Sequence, residues 1–229
     1  FALWRASLSV AATAPASTAP GLPIHDGVGG EFSAASSLGR QVSLAEYRGK
    51  VVLLFFGYTS CQDVCPVTLS HLASLVKRLG PAADAVQVLL VTIDPAVDSA
   101  EHLAEYLARF DSRFVGLTGG PADIDRIAAL FMAKHDRSHP VSVPTTHHVS
   151  KTFTDRIEIY SHSQQVYLLD TAGRTRGMYF SGSPLEEMES AVRSLLDEAG
   201  KEVPEARVSK DDDSGEGPCP EASPGCKHD

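Results

Sequence analysis

Apolar residues fall into two kinds of block along this chain, short continuous runs and runs recurring every three to four positions, and the two kinds alternate. Lys50 to Gly57, KVVLLFFG, is a continuous run of strand length rich in β-branched and aromatic residues, the pattern of a strand covered on both faces. Pro66 to Leu79 sets Leu69, Leu72, Ala73, Leu75, Val76 and Leu79 at helical spacing, with Pro in the first turn and Gly80 just past the end, and predicts a helix. The alternation continues: Val86 to Ile93 predicts a strand, Ala100 to Phe110 a helix, Phe114 to Leu117 a strand and Ala122 to Lys134 a helix. Gln164 to Asp170 then predicts a strand, Ala172-Gly173 a turn, Thr175 to Phe180 its hairpin partner, and Pro184 to Ala199 a last amphipathic helix. This order predicts an α/β fold with a central mixed sheet flanked by helices.

The patterning fades at both ends. Ala11 to Gly30 is dominated by Ala, Pro, Ser, Thr and Gly, a composition that buries too little apolar area to offset ordering, and predicts a linker. Phe1 to Val10, FALWRASLSV, is apolar but short and interrupted by Arg5; it reads as the tail of a signal or membrane anchor, or as a simple arm. A first residue of Phe rather than Met suggests a trimmed precursor. Val203 to Asp229 is acidic and poor in large apolar residues, and predicts a flexible tail. The expected division is an arm and linker over residues 1–30, one folded domain over 31–202 and a tail over 203–229. Inside the domain, Ser138 to Thr154 is a long polar segment that reads as an ordered lid or a mobile loop.

Charge narrows the partners. A net charge of -9 without a Lys/Arg cluster excludes nucleic acid, whose phosphates require such a cluster, and leaves a basic or neutral docking protein.

The chemistry concentrates in FFGYTSCQDVCP, where Cys61 and Cys65 lie between the end of a buried strand and the start of a helix. Sites in open α/β sheets form at the carboxyl ends of strands, and the unpaired amides and positive end of a helix favour a thiolate there. If the segment were helical, the two residues would share a face with Cβ atoms about 5–6 Å apart. A disulfide wants about 3.8 Å, whereas two metal–sulfur bonds of about 2.3 Å span the gap without strain. The spacing therefore leans towards a metal, with a disulfide open to a loop that can deform. Two thiolates suit Cu(I), and Cys with His also serves Zn(II) and Cu(II).

A third ligand has to come from elsewhere among nine histidines. His71 and His102 fall inside predicted helices as ordinary packed or solvated residues, and His147-His148 lie in the polar segment. His162 stands apart because it immediately precedes the strand QQVYLLD, and in a sheet of this kind the turn before that strand faces the helix carrying the cysteines.

GYTSCQDVCP, VTIDP with the following Asp98, YLARFDSRFVGLTG and SHSQQVYLLD together resemble the successive blocks of the Sco/SenC copper proteins, over about Phe32 to Leu196. The resemblance implies a thioredoxin-like fold tethered to a membrane, with copper, as Cu(I) or Cu(II), held by Cys61, Cys65 and His162. It implies delivery to the CuA centre in the copper-binding subunit of cytochrome c oxidase, exchange with other copper chaperones, and a location in the bacterial periplasm or the mitochondrial intermembrane space. Members of the family are also proposed to reduce their target's cysteines, a role that would use Cys61 and Cys65 as a dithiol. The chain departs from the family at Ser161, where an Asp usually precedes the histidine; Asp155 or Asp63 is available as a substitute. Asp63 otherwise reads as a helix-start residue complementing the dipole. The tail adds Cys219, Cys226 and His228, which read as a local disulfide, as free or partner-bound thiols, or as a second metal-loading site.

Two other functions compete. VCPVT resembles the segment carrying the reactive cysteine of peroxiredoxins, with Cys65 as nucleophile, although the Pro and Thr pattern ahead of it is absent. A thiol–disulfide reductase without a metal would need only the cysteine pair. Tyr58 reads as a rim aromatic able to shield a metal, and Asp94-Pro95 as the end of a strand entering a loop that offers a docking surface.

Overall fold

The computed structural model describes residues 21–144 and 156–201. Within them the continuous apolar runs became the two central strands, β3 (Val51–Gly57) and β4 (Val86–Thr92), every residue of which is buried. They pair in parallel from Val51↔Val86 to Gly57↔Thr92. β5 (Val115–Thr118) continues the parallel side, while β8 (Gln165–Leu169) pairs antiparallel with β3 and β9 (Thr175–Phe180) antiparallel with β8. With β1 (Ser33–Ser36) and β2 (Gln41–Ser43) beyond β5, the seven-stranded order is β2-β1-β5-β4-β3-β8-β9, the mixed sheet the pattern predicts.

Side-chain alternation divides β3 between two cores. Val51, Leu53 and Phe55 point to the face covered by α1 (Val64–Leu79), α2 (Ala100–Leu107) and α4 (Leu185–Lys201), meeting Leu69, Leu72, Leu103 and Val192. Val52, Leu54 and Phe56 point to the other face, where α3 (Pro121–Leu130) contributes Ile124, Ile127 and Ala128. Phe131 follows α3 and makes inclined ring contacts with Phe32, Phe56 and Tyr167. Fully burying such a ring contributes about 1.5–3 kcal/mol.

Several elements depart from the sequence pattern. β1 (Ser33–Ser36) and β2 (Gln41–Ser43) are too short and too rich in small residues to show a period. α3 stops at Leu130 rather than Lys134, because Met132 takes a left-handed φ of 52° that ends the helix. The chain then enters β6 (His135–Pro144), which pairs antiparallel with β7 (Arg156–His162) in a separate two-stranded ribbon. The first half of the supposed lid, residues 138–144, is therefore strand. Its remainder, with His147, His148 and Asp155, lies outside the described residues, as do 1–20 and the tail with Cys219, Cys226 and His228.

Residues 21–30, placed in the linker by composition, lie against the domain. The His25 amide donates to Thr175 O at 2.9 Å and the Gly29 amide to Leu130 O at 2.6 Å. Arg176, buried in β9, donates from Nε to Leu22 O at 2.9 Å while its guanidinium reaches Asp170 and Glu198. The segment is held by these polar bonds, which apolar patterning cannot register, and by Leu22 and Val28, which pack against the two cores. Among the described residues no helix is long and apolar enough to cross a membrane.

Candidate metal centre

The carboxyl end of β3 runs into Tyr58, a turn closed by the Cys61 amide donating to Tyr58 O at 3.3 Å, and then α1. The helix begins at Val64, so Cys65 sits in its first turn and Cys61 precedes it. The pair is thus related by a turn entering a helix and not by one helical face, which corrects the geometry expected from the spacing. Asp63 occupies the N-cap position, yet its side chain makes no capping hydrogen bond.

Both thiols are free; Cys65 is buried and Cys61 partly buried. They are hydrogen-bonded to each other and unequal. The Cys65 thiol donating to Cys61, helped by the amides of Cys65 and Asp63, holds Cys61 far below the ordinary thiol range against the opposing effect of burial. Cys65 is pushed upwards by that same bond, by burial and by the Cys61 charge. The Cys61 sulfur, just ahead of the helix N-terminus, is thus held towards the thiolate and the Cys65 sulfur towards the thiol.

Gly57, the last residue of β3, makes room for the buried sulfur. A Cβ there would lie 2.8 Å from Cys65 Sγ and 3.1 Å from both Leu90 Cδ1 and Phe55 Cε2.

The imidazole arrives from the other side of β3. Because β8 runs antiparallel to β3, with Val166 opposite Phe55, the β7–β8 connection comes back to the end of the sheet that carries the cysteines. His162 closes β7 and Ser163 anchors the connection: the Ser163 amide donates to Lys134 O at 2.7 Å and the Lys134 amide to Ser163 Oγ at 2.8 Å. His162 Nδ1 lies 2.9 Å from Ser163 O. A carbonyl only accepts, so Nδ1 carries a proton and Nε2 is turned towards Cys65 Sγ, 3.9 Å away. The Tyr58 ring, buried, meets the imidazole edge-on at 5.7 Å and 85° and fixes its plane.

The ligand atoms of Cys61, Cys65 and His162 all lie within 4.8 Å of one another. Bonds of about 2.0–2.3 Å meeting at about 120° separate two donors by about 3.7 Å, so the 3.9 Å between Cys65 and His162 needs almost no adjustment. Two sulfurs and one imidazole form a soft, three-donor set suited to copper, and no other group of three or more ligating side chains occurs among the described residues. His71 and His102 lie in α1 and α2 as the sequence indicates, outside this group. A signal the sequence reading passed over is Asp136, which lies across the ribbon from Ser161 and lines a surface hollow with Lys134, His135, His162 and Ser163. It supplies a carboxylate to the side of the site where Ser161 brings none.

Residues 23–197 match the SCO1/SenC family. The mitochondrial protein SCO2 homolog of Bos taurus is 32% identical over 166 residues, covering 72% of this chain and 58% of that protein. The SCO2-like protein of Rickettsia felis is 31% identical over 163 residues, covering 71% and 74%. The solved structure of Bradyrhizobium japonicum ScoI with copper bound is similar at a TM-score of 0.60 and 28% identity, over 74% of this chain and 99% of that one. The sheet and its helices are accordingly a thioredoxin-like fold. The matched segment thus contains every strand and helix described here except the last residues of α4, and the chain belongs to the SCO1/SenC family.

Proposed function

We propose that the protein carries copper on Cys61, Cys65 and His162 and helps assemble the CuA centre of cytochrome c oxidase, outside the cytoplasm and beside a membrane. The observation that carries this reading is the convergence of two sulfurs and a tautomerically fixed imidazole within 4.8 Å. The copper-bound ScoI relative supports the choice of metal, and the mitochondrial relative supports the compartment, which in a bacterium would be the periplasm. Copper is cargo here. The chain's own contribution is to hold Nε2 and the two sulfurs in place, and to leave Cys61 and His162 partly exposed so that a partner's ligands can approach. The oxidase subunit, other copper chaperones and an N-terminal anchor belong to the same proposal through family membership.

Anaerobic Cu(I) titration of the wild type and of Cys61→Ala, Cys65→Ala and His162→Ala, followed by X-ray absorption, tests the site. The wild type should bind one ion with two sulfur neighbours and one nitrogen, and His162→Ala should lose the nitrogen. Unchanged coordination in His162→Ala refutes the ligand set.

The unequal thiols favour one second reading, a dithiol reductase acting on a copper enzyme's cysteines. Cys61 as thiolate would attack the target disulfide, and Cys65, losing its proton, would resolve the mixed disulfide and leave the target with two thiols. If His162→Ala retained full assembly activity and full copper content, dithiol chemistry would suffice. The peroxidase alternative fits poorly, since Cys65 is 1% exposed and its thiol is shifted towards the protonated form.

A further inference from the structure

Asp98 is fully buried, and among the described residues no cation pairs with it. Its carboxylate instead collects neutral donors from the strand ends around the site. Oδ2 accepts from the Thr59 amide at 3.1 Å and from Thr92 Oγ1 at 2.5 Å, and Oδ1 accepts from Thr59 Oγ1. Thr92 Oγ1 in turn accepts from the Asp94 amide at 3.0 Å, and Thr118 Oγ1 donates to Asp98 O at 2.9 Å. The carboxylate therefore ties the residues just beyond β3 to the end of β4, and the Asp98 backbone carbonyl adds the end of β5. Thr59 lies two positions before Cys61, inside the turn that presents that sulfur.

Burying a carboxylate without a cation costs several kcal/mol even when hydrogen bonds compensate. An apolar or amide residue could tie the strands more cheaply, so the charge itself calls for a role. We propose that Asp98 is a positioning residue of the metal centre, fixing through Thr59 the turn that presents Cys61 and lending a negative charge that favours the more highly charged copper ion. The copper part of this proposal rests on the function proposed above; the clamp on the cysteine turn does not. The Asp98 charge already acts on Cys65, where it adds to the effects that keep the thiol protonated. A bound cation reverses that relation, and Cu(II) gains more from the carboxylate than Cu(I).

Asp98→Asn is suited to the test because it can keep the hydrogen bonds. Its carbonyl oxygen can accept from the Thr59 amide and Thr92, and its NH2 can donate to Thr59 Oγ1 once that hydroxyl rotates. In this variant Cu(II) affinity should fall relative to Cu(I) by about tenfold, read as a rise of about 59 mV in the copper reduction potential. Thr59→Ala keeps the charge but loosens the turn; both affinities should fall by a similar factor with the potential little changed. The same variants, free of copper and equilibrated with reduced and oxidised glutathione, report on the clamp alone as two thiols pass two electrons and two protons to glutathione disulfide. There Thr59→Ala should move the equilibrium severalfold towards the disulfide, because a loosened turn lets the two sulfurs close, while Asp98→Asn, which keeps the hydrogen bonds, should stay near the wild type. An unchanged copper potential in Asp98→Asn overturns the charge role, and a Thr59→Ala protein identical to the wild type overturns the clamp. Absence of copper binding in the wild type, with the glutathione shifts present, would sink the copper reading and leave Asp98 as the positioning residue of a dithiol.

Discussion

Gly57→Ala isolates the packing that holds the buried sulfur. The added Cβ would stand 2.8 Å from Cys65 Sγ, about 0.6 Å inside the 3.4 Å at which ordinary contact begins. It would also crowd Leu90 and Phe55, both buried in the core between sheet and α1 and without room to retreat. Two effects oppose each other. Replacing Gly by Ala inside a strand normally stabilises by about 0.5–1 kcal/mol, because less backbone freedom is lost on folding. Overpacking a filled core costs about 1–3 kcal/mol, and at a contact this short the second effect wins. The expected net loss is about 1–2 kcal/mol, or a fall in Tm of about 2–8 °C for a domain of this size. The sulfur should move by about the 0.5 Å that a functional constellation tolerates, so Cu(I) affinity should drop about tenfold or more. Urea unfolding of the copper-free protein and Cu(I) competition with a chromophoric chelator measure the two effects separately. An alanine variant as stable as the wild type, with unchanged copper affinity, would show that the Cys65 sulfur is not confined by β3.

The unequal thiols give a pH prediction. A Cys61 thiol held below its ordinary range is thiolate throughout neutral pH, so its alkylation by iodoacetamide, followed by peptide mass spectrometry, should vary little between pH 6 and 8, while Cys65 stays unlabelled. Cys65→Ala removes the largest cause of the lowering, so Cys61 should titrate nearer to the ordinary thiol value and label more slowly at pH 6; an unchanged profile would refute the effect of Cys65 on Cys61. Arg176→Met leaves the buried Asp170 with the more exposed Arg174 as its remaining ionic partner and frees Leu22 O, for an expected loss of about 3 kcal/mol. Limited proteolysis should then cut within residues 21–30, and continued resistance there would show that the segment is held without Arg176.

The central strands, the four helices and the cysteine pair were legible because each rests on local chemistry. Val51 to Gly57 is apolar without interruption since it is covered on both faces, and Leu69, Leu72, Val76 and Leu79 repeat at the helical period since one side of α1 meets the sheet. The β6–β7 ribbon was less visible, although Val141, Val143, Ile157 and Ile159 alternate with polar residues and pair as Val141↔Ile159 and Val143↔Ile157. Two short alternating stretches amid a polar segment do not declare that they belong together. Pairing depends on register across the gap, which no local period encodes.

The candidate site shows the same division. By itself the sequence determined that two thiols lie at the mouth of a buried strand and that a histidine waits ahead of another. Only the tertiary structure decided how they meet: the antiparallel course of β8 returns His162 to that mouth, and Ser163 O fixes its tautomer. Gly57 leaves space for the Cys65 sulfur, and Asp98 gathers Thr59 from the turn after β3 and Thr92 from the end of β4. The return of β8 to β3 and the bond from Thr59 to Asp98 join residues far apart in the chain, selected by sheet order and close packing, and that is why they could be found only in three dimensions.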